Sequence, residues 1–387
     1  MGRFSGLGRK PVPRGVLAAL FVLAGLIIIA LLSFNAPAWA RPYAANGIFP
    51  VVYGTVHLQG RPAPPAPSWS VPLAVTLECG VSTLPGLYTY SVTTDQTGHF
   101  TFTHVVSYTS TCDFRVKNPH TLRNVKYNVT INAGDNYVDM GTLREGDANN
   151  DNRVSLVDFS ILATAYDSGP GNPRFDPRAD FNENDWIEIA DFSLLATNYD
   201  RAGDIPVSMP AAAVSASTAP TVTLKLVPAY WAAPLGDIFM VDIRMDPHAQ
   251  PFQGVAVFLR FNPADLQVVD AQGNPAAEIE DSGNLPVLIR NQVDNSAGEI
   301  SFSAGILEGT PPAEEFSLAR MYLKVTGVNI AGSPVEFVVQ DYPPRTGVTY
   351  DGYYLPLEIQ DLTARLGEVR ILWPLFKRRA STLPEVP

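Results

Sequence analysis

Between Gly146 and Asp204 the chain repeats itself. Gly-Asp-Ala-Asn-Asn-Asp-Asn-Arg-Val-Ser-Leu-Val-Asp (146–158) runs into Phe-Ser-Ile-Leu-Ala-Thr-Ala-Tyr-Asp. After 33 residues the pattern returns as Asp180 to Asp191 followed by Phe-Ser-Leu-Leu-Ala-Thr-Asn-Tyr-Asp. A unit this short is one loop and one helix, and neither copy can bury an apolar stripe by itself. The repeat therefore requires two units packed together.

Each copy places oxygen donors at the spacing of a 12-residue calcium loop, positions 1, 3, 5, 7, 9 and 12. In the first copy these are Asp147, Asn149, Asp151, the carbonyl of Arg153, Ser155 through a water, and Asp158. In the second they are Asp180, Asn182, Asn184, the carbonyl of Trp186, Glu188 and Asp191. Two ions of Ca2+ are expected. Position 6 is Asn152 or Asp185 instead of glycine, but these residues enter the left-handed region more readily than other non-glycine types. Position 12 is Asp, whose short carboxylate must lie closer to the ion than Glu would. The second loop has fewer carboxylates unless Glu188 binds directly, so it is expected to be the weaker site. An Asx-rich turn that merely caps a helix is the alternative reading. Two such turns in register, each before a near-identical helix, argue against it.

The helices repeat their faces as well. Phe159, Leu162, Ala163 and Tyr166 recur at i, i+3, i+4 and i+7, as do Phe192, Leu195, Ala196 and Tyr199. The two stripes are expected to pack on each other. Because apposed carboxylates repel, the ion is expected to drive this folding.

On these residues, Asp147 to Asp200 resembles a dockerin, the calcium-dependent docking module of cellulosome-type assemblies. The resemblance implies a small all-α, half EF-hand module that binds a cohesin through loop positions 10 and 11 and the following helix. Those positions are Leu156, Val157, Ala163 and Thr164 in the first copy, and Ile189, Ala190, Ala196 and Thr197 in the second. Many dockerins carry Ser-Thr at positions 10 and 11; the apolar pairs here imply a more hydrophobic docking face.

The N-terminus reads as an export signal. Arg3, Arg9, Lys10 and Arg14 precede an uncharged apolar run from Gly15 to Phe34, and Ala38-Trp39-Ala40 matches a cleavage site. Residues 1–40 are either a removed signal peptide or an uncleaved anchor, since the run is long enough to span a bilayer. Both readings put the rest of the chain outside the cytoplasm, secreted or at the cell surface. A net charge of -11 argues against nucleic acid as a partner. Twelve acidic but only four basic residues lie within 147–204, where cations would neutralise them. Two cysteines occur, Cys79 and Cys112. In an oxidising compartment they are expected to form a disulfide, with a pair of buried thiols as the alternative.

Residues 43–144 alternate apolar and polar positions between turn signals such as Asp95-Gln96-Thr97-Gly98, and read as a β-sandwich. The stretch resembles prealbumin-like or fibronectin-like spacer domains. Residues 205–220 are rich in Pro, Ala and Ser and read as a linker, with the modules on either side moving independently. Residues 221–371 are again β. Phe239, Val241, Ile243 and Met245 share one face, Val255, Val257, Leu259 and Phe261 another, and Met321, Leu323 and Val325 a third. The run from Gly254-Val255 through Asn262-Pro263-Ala264-Asp265-Leu266 to Gly298-Glu299-Ile300 resembles a cohesin-type jelly-roll sandwich, which a carbohydrate-binding sandwich also matches. Residues 372–387 form a basic, proline-containing tail.

Catalytic signals are lacking. His57, His99, His104, His120 and His248 are scattered, and no H-E-x-x-H, G-x-S-x-G or phosphate loop occurs. Tyr342, Tyr350, Tyr353 and Tyr354 could line a sugar platform, although core or turn packing is the commoner fate of such residues. The fold class expected is multidomain and mainly β, two sandwiches flanking the calcium module. The function expected is an exported, non-catalytic adaptor of polysaccharide-degrading assemblies, with cohesin-bearing or dockerin-bearing proteins as partners and self-association open to it. A carbohydrate-binding adhesin with polysaccharide as partner, or a hydrolase component, is the alternative.

Overall fold

Alternating strands account for most of the chain. The computed structural model describes residues 49–80, 86–105, 109–207, 221–339 and 345–367. The expected export segment, most of the linker, the tail and Tyr342 lie outside them. The first domain comprises β1 (Val51–Leu58), β2 (Pro72–Gly80), β3 (Gly86–Thr93), β4 (His99–Thr103), β5 (Ser110–Lys117), β6 (Asn124–Ile131) and β7 (Asp135–Leu143). Two sheets, β4-β1-β7 and β3-β2-β5-β6, face each other across a core that includes Val52, Leu77, Phe114 and Met140. Alternation decides which side chains enter it: Leu73, Val75, Leu77 and Cys79 point inward from β2 while their neighbours face out. Cys79 and Cys112 lie opposite each other on β2 and β5 and are joined in a disulfide.

Two helices follow, α1 (Leu156–Ala165) and α2 (Ile189–Asn198). The chain then returns to the first domain. β8 (Ile205–Pro206) adds in parallel to β6. The expected linker therefore begins as a sheet strand.

The last domain holds β9 (Val222–Val227), β10 (Tyr230–Ala233), β11 (Ile238–Asp246), β12 (Gly254–Phe261), β13 (Leu266–Val269), β14 (Glu280–Asp281) and β15 (Val287–Asp294). It continues with β16 (Glu299–Gly305), β17 (Phe316–Val325), β18 (Asn329–Phe337), β19 (Gly347–Tyr350), β20 (Tyr353–Tyr354), β21 (Leu357–Gln360) and β22 (Leu362–Leu366). One sheet runs β10-β22-β18-β12-β16-β15 with β19 and β20 attached, the other β13-β17-β11-β9-β21 with β14 attached. The three apolar faces read from β11, β12 and β17 all point into the core between them.

The helices do not simply pack on each other. Phe159 and Phe192 meet edge to face at 6.1 Å, but α2 is buried on nearly every side, from Ile189 and Ala190 through Phe192, Leu194 and Leu195 to Ala196. One face lies against the last domain, whose Ala256, Phe258, Val287 and Leu307 share its apolar cluster, while Leu194 and Asn198 reach Gly60 and Gln59 of the first domain. Glycine makes this approach feasible. A Cβ on Gly305 would lie 2.2 Å from Phe192 Cε1, and one on Gly254 would lie 2.7 Å from Ile189 Cδ1. The expected independence of the modules is replaced by a packed joint.

Candidate metal centres of the loop-helix repeat

The two loops have the same backbone path. Positions 4 and 6 are left-handed in both, with φ of 63° and 70° at Asn150 and Asn152, and 51° and 65° at Glu183 and Asp185. Asn and Asp therefore take the turn that glycine makes in the general loop.

The hydrogen bonds match position for position. Asp147 Oδ1 and Oδ2 accept from the amides of Asp151 (3.0 Å) and Asn152 (2.8 Å), and Asp180 accepts likewise from Asn184 (3.1 Å) and Asp185 (2.9 Å). Asn149 Oδ1 accepts from Asp151 N and Asn182 Oδ1 from Asn184 N. Asp151 accepts from Arg153 N and Asn184 from Trp186 N. At position 12, Asp158 accepts from Asn149 N (3.0 Å) and Ser155 N (2.8 Å), and Asp191 from Asn182 N (3.2 Å) and Glu188 N (2.9 Å). Ser155 and Glu188 are the N-caps of α1 and α2, so Asp158 and Asp191 are also the third helical residues of their capping boxes. One short carboxylate closes the loop and starts the helix, which accounts for Asp at this position.

Burial raises the cost of these charges. Asp147, Asp158 and Asp191 are fully buried, and Asp180, Asn182 and Glu188 nearly so. Burial pushes Asp180 up to about 6. Burial, then the nearby Asp180 and Glu188 carboxylates, hold Asp191 well above the ordinary range. Burial also raises Glu188, and raises Asp147 against the opposing pull of Lys117. Buried, mutually repelling carboxylates in a set whose candidate ligand atoms are all oxygens are the chemistry of a hard divalent cation site. The residues present fit calcium.

Sequence reasoning missed the groups that flank the loops. Lys117 Nζ lies 2.6 Å from Asp147 Oδ2 and also donates to Thr121 O. Arg61 Nη1 donates to Phe181 O at 2.6 Å, and its Nη2 lies 3.3 Å from Glu145 Oε1 and 3.4 Å from Glu183 Oε1. His120 bridges Glu145 (2.6 Å) and Glu183 (3.3 Å). A lone Lys, Arg or His in a β-domain carries no local pattern that would have pointed to them.

The expected docking residues divide by copy. Leu156 and Val157 are 61% and 55% exposed, Thr164 is exposed and Ala163 half-buried. Ile189, Ala190 and Ala196 are buried and Thr197 half-buried, because α2 is seated within the chain. That seat is polar at its edges: Ser193 Oγ donates to Gln253 Oε1 (3.1 Å) and accepts from Gly352 N (3.0 Å), and Thr349 Oγ1 donates to Ile189 O (3.2 Å). Ile189, Ala190 and Ala196 of the second-copy set are thus covered within this chain, and Thr197 is left half-buried.

Other candidates disperse. Tyr354 lies under the Arg345 guanidinium, 3.4 Å from ring centroid to Cζ, while Tyr350 and Tyr353 are partly exposed. His57 packs edge-on against Trp69, His104 bonds Tyr90, His99 sits in the Asp95 turn and His248 beside Asp246. His104 approaches Cys79 and Cys112, but sulfurs joined in a disulfide offer no thiolate to a metal. No helix among the described residues is long and apolar enough to cross a membrane.

The chain matches no family model and no curated protein. Among solved structures it is similar to a type II cohesin domain from the cellulosome of Acetivibrio cellulolyticus, at 19% identity and a TM-score of 0.32, covering 38% of this chain and 95% of that one. A non-cellulosomal cohesin from the archaeon Archaeoglobus fulgidus is similar at 16% identity and a TM-score of 0.29, covering 38% of this chain and 91% of that one. So is a type I cohesin-dockerin complex from Clostridium thermocellum, at 9% identity and a TM-score of 0.30, covering 38% of this chain and 99% of that chain.

Proposed function

We propose that this is an exported, non-catalytic adaptor whose duplicated loop-helix module binds two calcium ions and docks a protein partner through its first repeat. The observation that carries the reading is the position-by-position identity of the two loops in backbone and hydrogen bonds, on a sequence spacing that already matched a dockerin. Asp147, Asn149, Asp151, the Arg153 carbonyl, Ser155 and Asp158 would hold one ion. Asp180, Asn182, Asn184, the Trp186 carbonyl, Glu188 and Asp191 would hold the other. Calcium would neutralise the buried carboxylates.

The docking surface is the exposed start of α1. Leu156 and Val157 lie side by side there at positions 10 and 11, with Thr164 two turns on. An apolar pair rimmed by polar residues suits a protein interface. The partner class is a cohesin-bearing protein, as the resemblance implies, and residues 221–371 supply a cohesin-like sandwich whose β12–β16 face is covered by α2. The export segment at 1–40 places this activity outside the cytoplasm.

Calorimetric titration of the full chain with calcium tests the reading. Two ions should bind, and Asp147→Ala and Asp180→Ala should each remove one. A chain that takes up no calcium sinks the proposal. Leu156→Asp should abolish capture of a cohesin while leaving both ions bound.

A further inference from the structure

The first sandwich holds charge against both loops. The end of β5, the turn after it and the segment after β1 deliver Lys117, His120 and Arg61 to the repeat, each buried or nearly so and each paired to it. The same turn also bonds through its backbone: His120 O accepts from Gly146 N and Asp147 N, and Arg123 N donates to Asn152 Oδ1 at 2.8 Å. Positions 1 and 6 of the first loop, and positions 2 and 4 of the second, are thereby fixed from outside the repeat.

We infer that the first sandwich is a built-in brace, in which Lys117 at the first loop, and Arg61 with His120 at the second, hold the calcium-binding geometry in the absence of the ion. Three observations converge. Asp147 is fully buried, and the Lys117 ammonium lies on the same carboxylate oxygen that accepts the Asn152 amide. An ammonium there offsets the charge that would otherwise expel this carboxylate from the interior. Glu183 is a non-Asx residue at a φ of 51°, a conformation with a backbone cost, and its carboxylate is held by Arg61 and His120. The side chains of Arg61 and Glu145 are both fully buried and pair with each other, Arg61 reaching on to Phe181 O and Glu183 of the loop and Glu145 to His120.

The consequence reverses the expectation drawn from carboxylate repulsion. The repeat does not wait for calcium to fold; it meets the ion with its loops already formed. At the first loop the brace holds a ligand carboxylate, Asp147, as hydrogen-bonded neighbours do at other metal sites, and at the second it holds Phe181 O and Glu183, which lie between ligands. It also assigns a role to the first domain.

This rests on the calcium reading but is tested without calcium. Hydrogen exchange of the full chain in EGTA should show amides of 147–165 protected. In Lys117→Met they should exchange about tenfold to hundredfold faster, the range expected for stranding a buried charged group. Calcium should restore protection, and Lys117→Arg should keep it without calcium. Unchanged protection of β2 in the same maps shows that the first sandwich remains folded, and Arg61→Met serves as the parallel variant for 180–198. Wild-type loops that exchange freely in EGTA, or a Lys117→Met chain as protected as wild type, overturn the brace. Failure to bind calcium would overturn the calcium reading and leave the exchange result standing.

Discussion

Tyr166, which ends the first helix, donates its hydroxyl to Ser303 Oγ of the last domain at 3.1 Å, and both residues are buried. The bond crosses the joint between the repeat and the C-terminal sandwich, alongside the Arg290–Asp167 ion pair at 3.1 Å. A buried hydroxyl that loses its donor keeps its desolvation penalty. Tyr166→Phe is therefore expected to cost about 1–3 kcal/mol. Thermal unfolding of the joint, followed by the environment of Trp186, measures it.

The glycine at the end of β16 is set by a neighbour, not by its own backbone. Gly305→Ala would place a methyl 2.2 Å from the Phe192 ring and 2.6 Å from Gln253 O. Overpacking of this kind costs about 1–3 kcal/mol. The same change combined with Phe192→Ala should cost less than the two single losses added, since each relieves the clash with the other. Denaturant melts of the four chains check the non-additivity.

Asp191 has two tasks that one substitution can separate. Asp191→Asn keeps an oxygen for the Glu188 amide of the capping box, gives up the acceptor of the Asn182 amide, and removes the charge an ion requires. Calcium stoichiometry should fall from two to one while α2 keeps its helical signal. Asp191→Ala should lose the ion and, in addition, about 0.5–2 kcal/mol of helix capping. Calorimetry and circular dichroism on the pair of variants separate the contributions.

His120 makes stability depend on alkaline pH. Burial alone would drive its imidazole down, but the carboxylates of Glu145 and Glu183 outweigh burial and hold it at about 9. A folded-state value above the unfolded 6.5 means the charged imidazole stabilises the fold fully below pH 6.5. That contribution is lost as pH rises through about 9. Stability at saturating calcium should therefore decline across this window by roughly 2–4 kcal/mol. His120→Gln should flatten the decline, and melts at stepped pH values report it.

Residues near in sequence determined much of what was legible. Val255, Val257, Leu259 and Phe261 share a face because side chains alternate along any strand, and their burial in the last core follows from that period. Asp147 to Asp158 adopt a loop because amides and carboxylates two to nine positions apart can satisfy one another. Asn152 and Asp185 take the left-handed turn on their own. These loop contacts are all made between residues close in sequence. The sequence by itself therefore determined the mainly β character, the twin loops with their donor order, and the helix starts.

What surrounds those loops depended on residues far away along the chain. Lys117 meets Asp147 across 30 positions, Arg61 meets Phe181 across 120, and Tyr166 meets Ser303 across 137. A lone cation or a small residue leaves no periodic trace, and the fit of Phe192 over Gly305 exists only once two sheets and a helix converge. Only the tertiary structure decided that the second helix faces inward and that one sandwich braces the loops. Packing and buried charge are satisfied between surfaces, and a surface is assembled by the fold before it can select its partner.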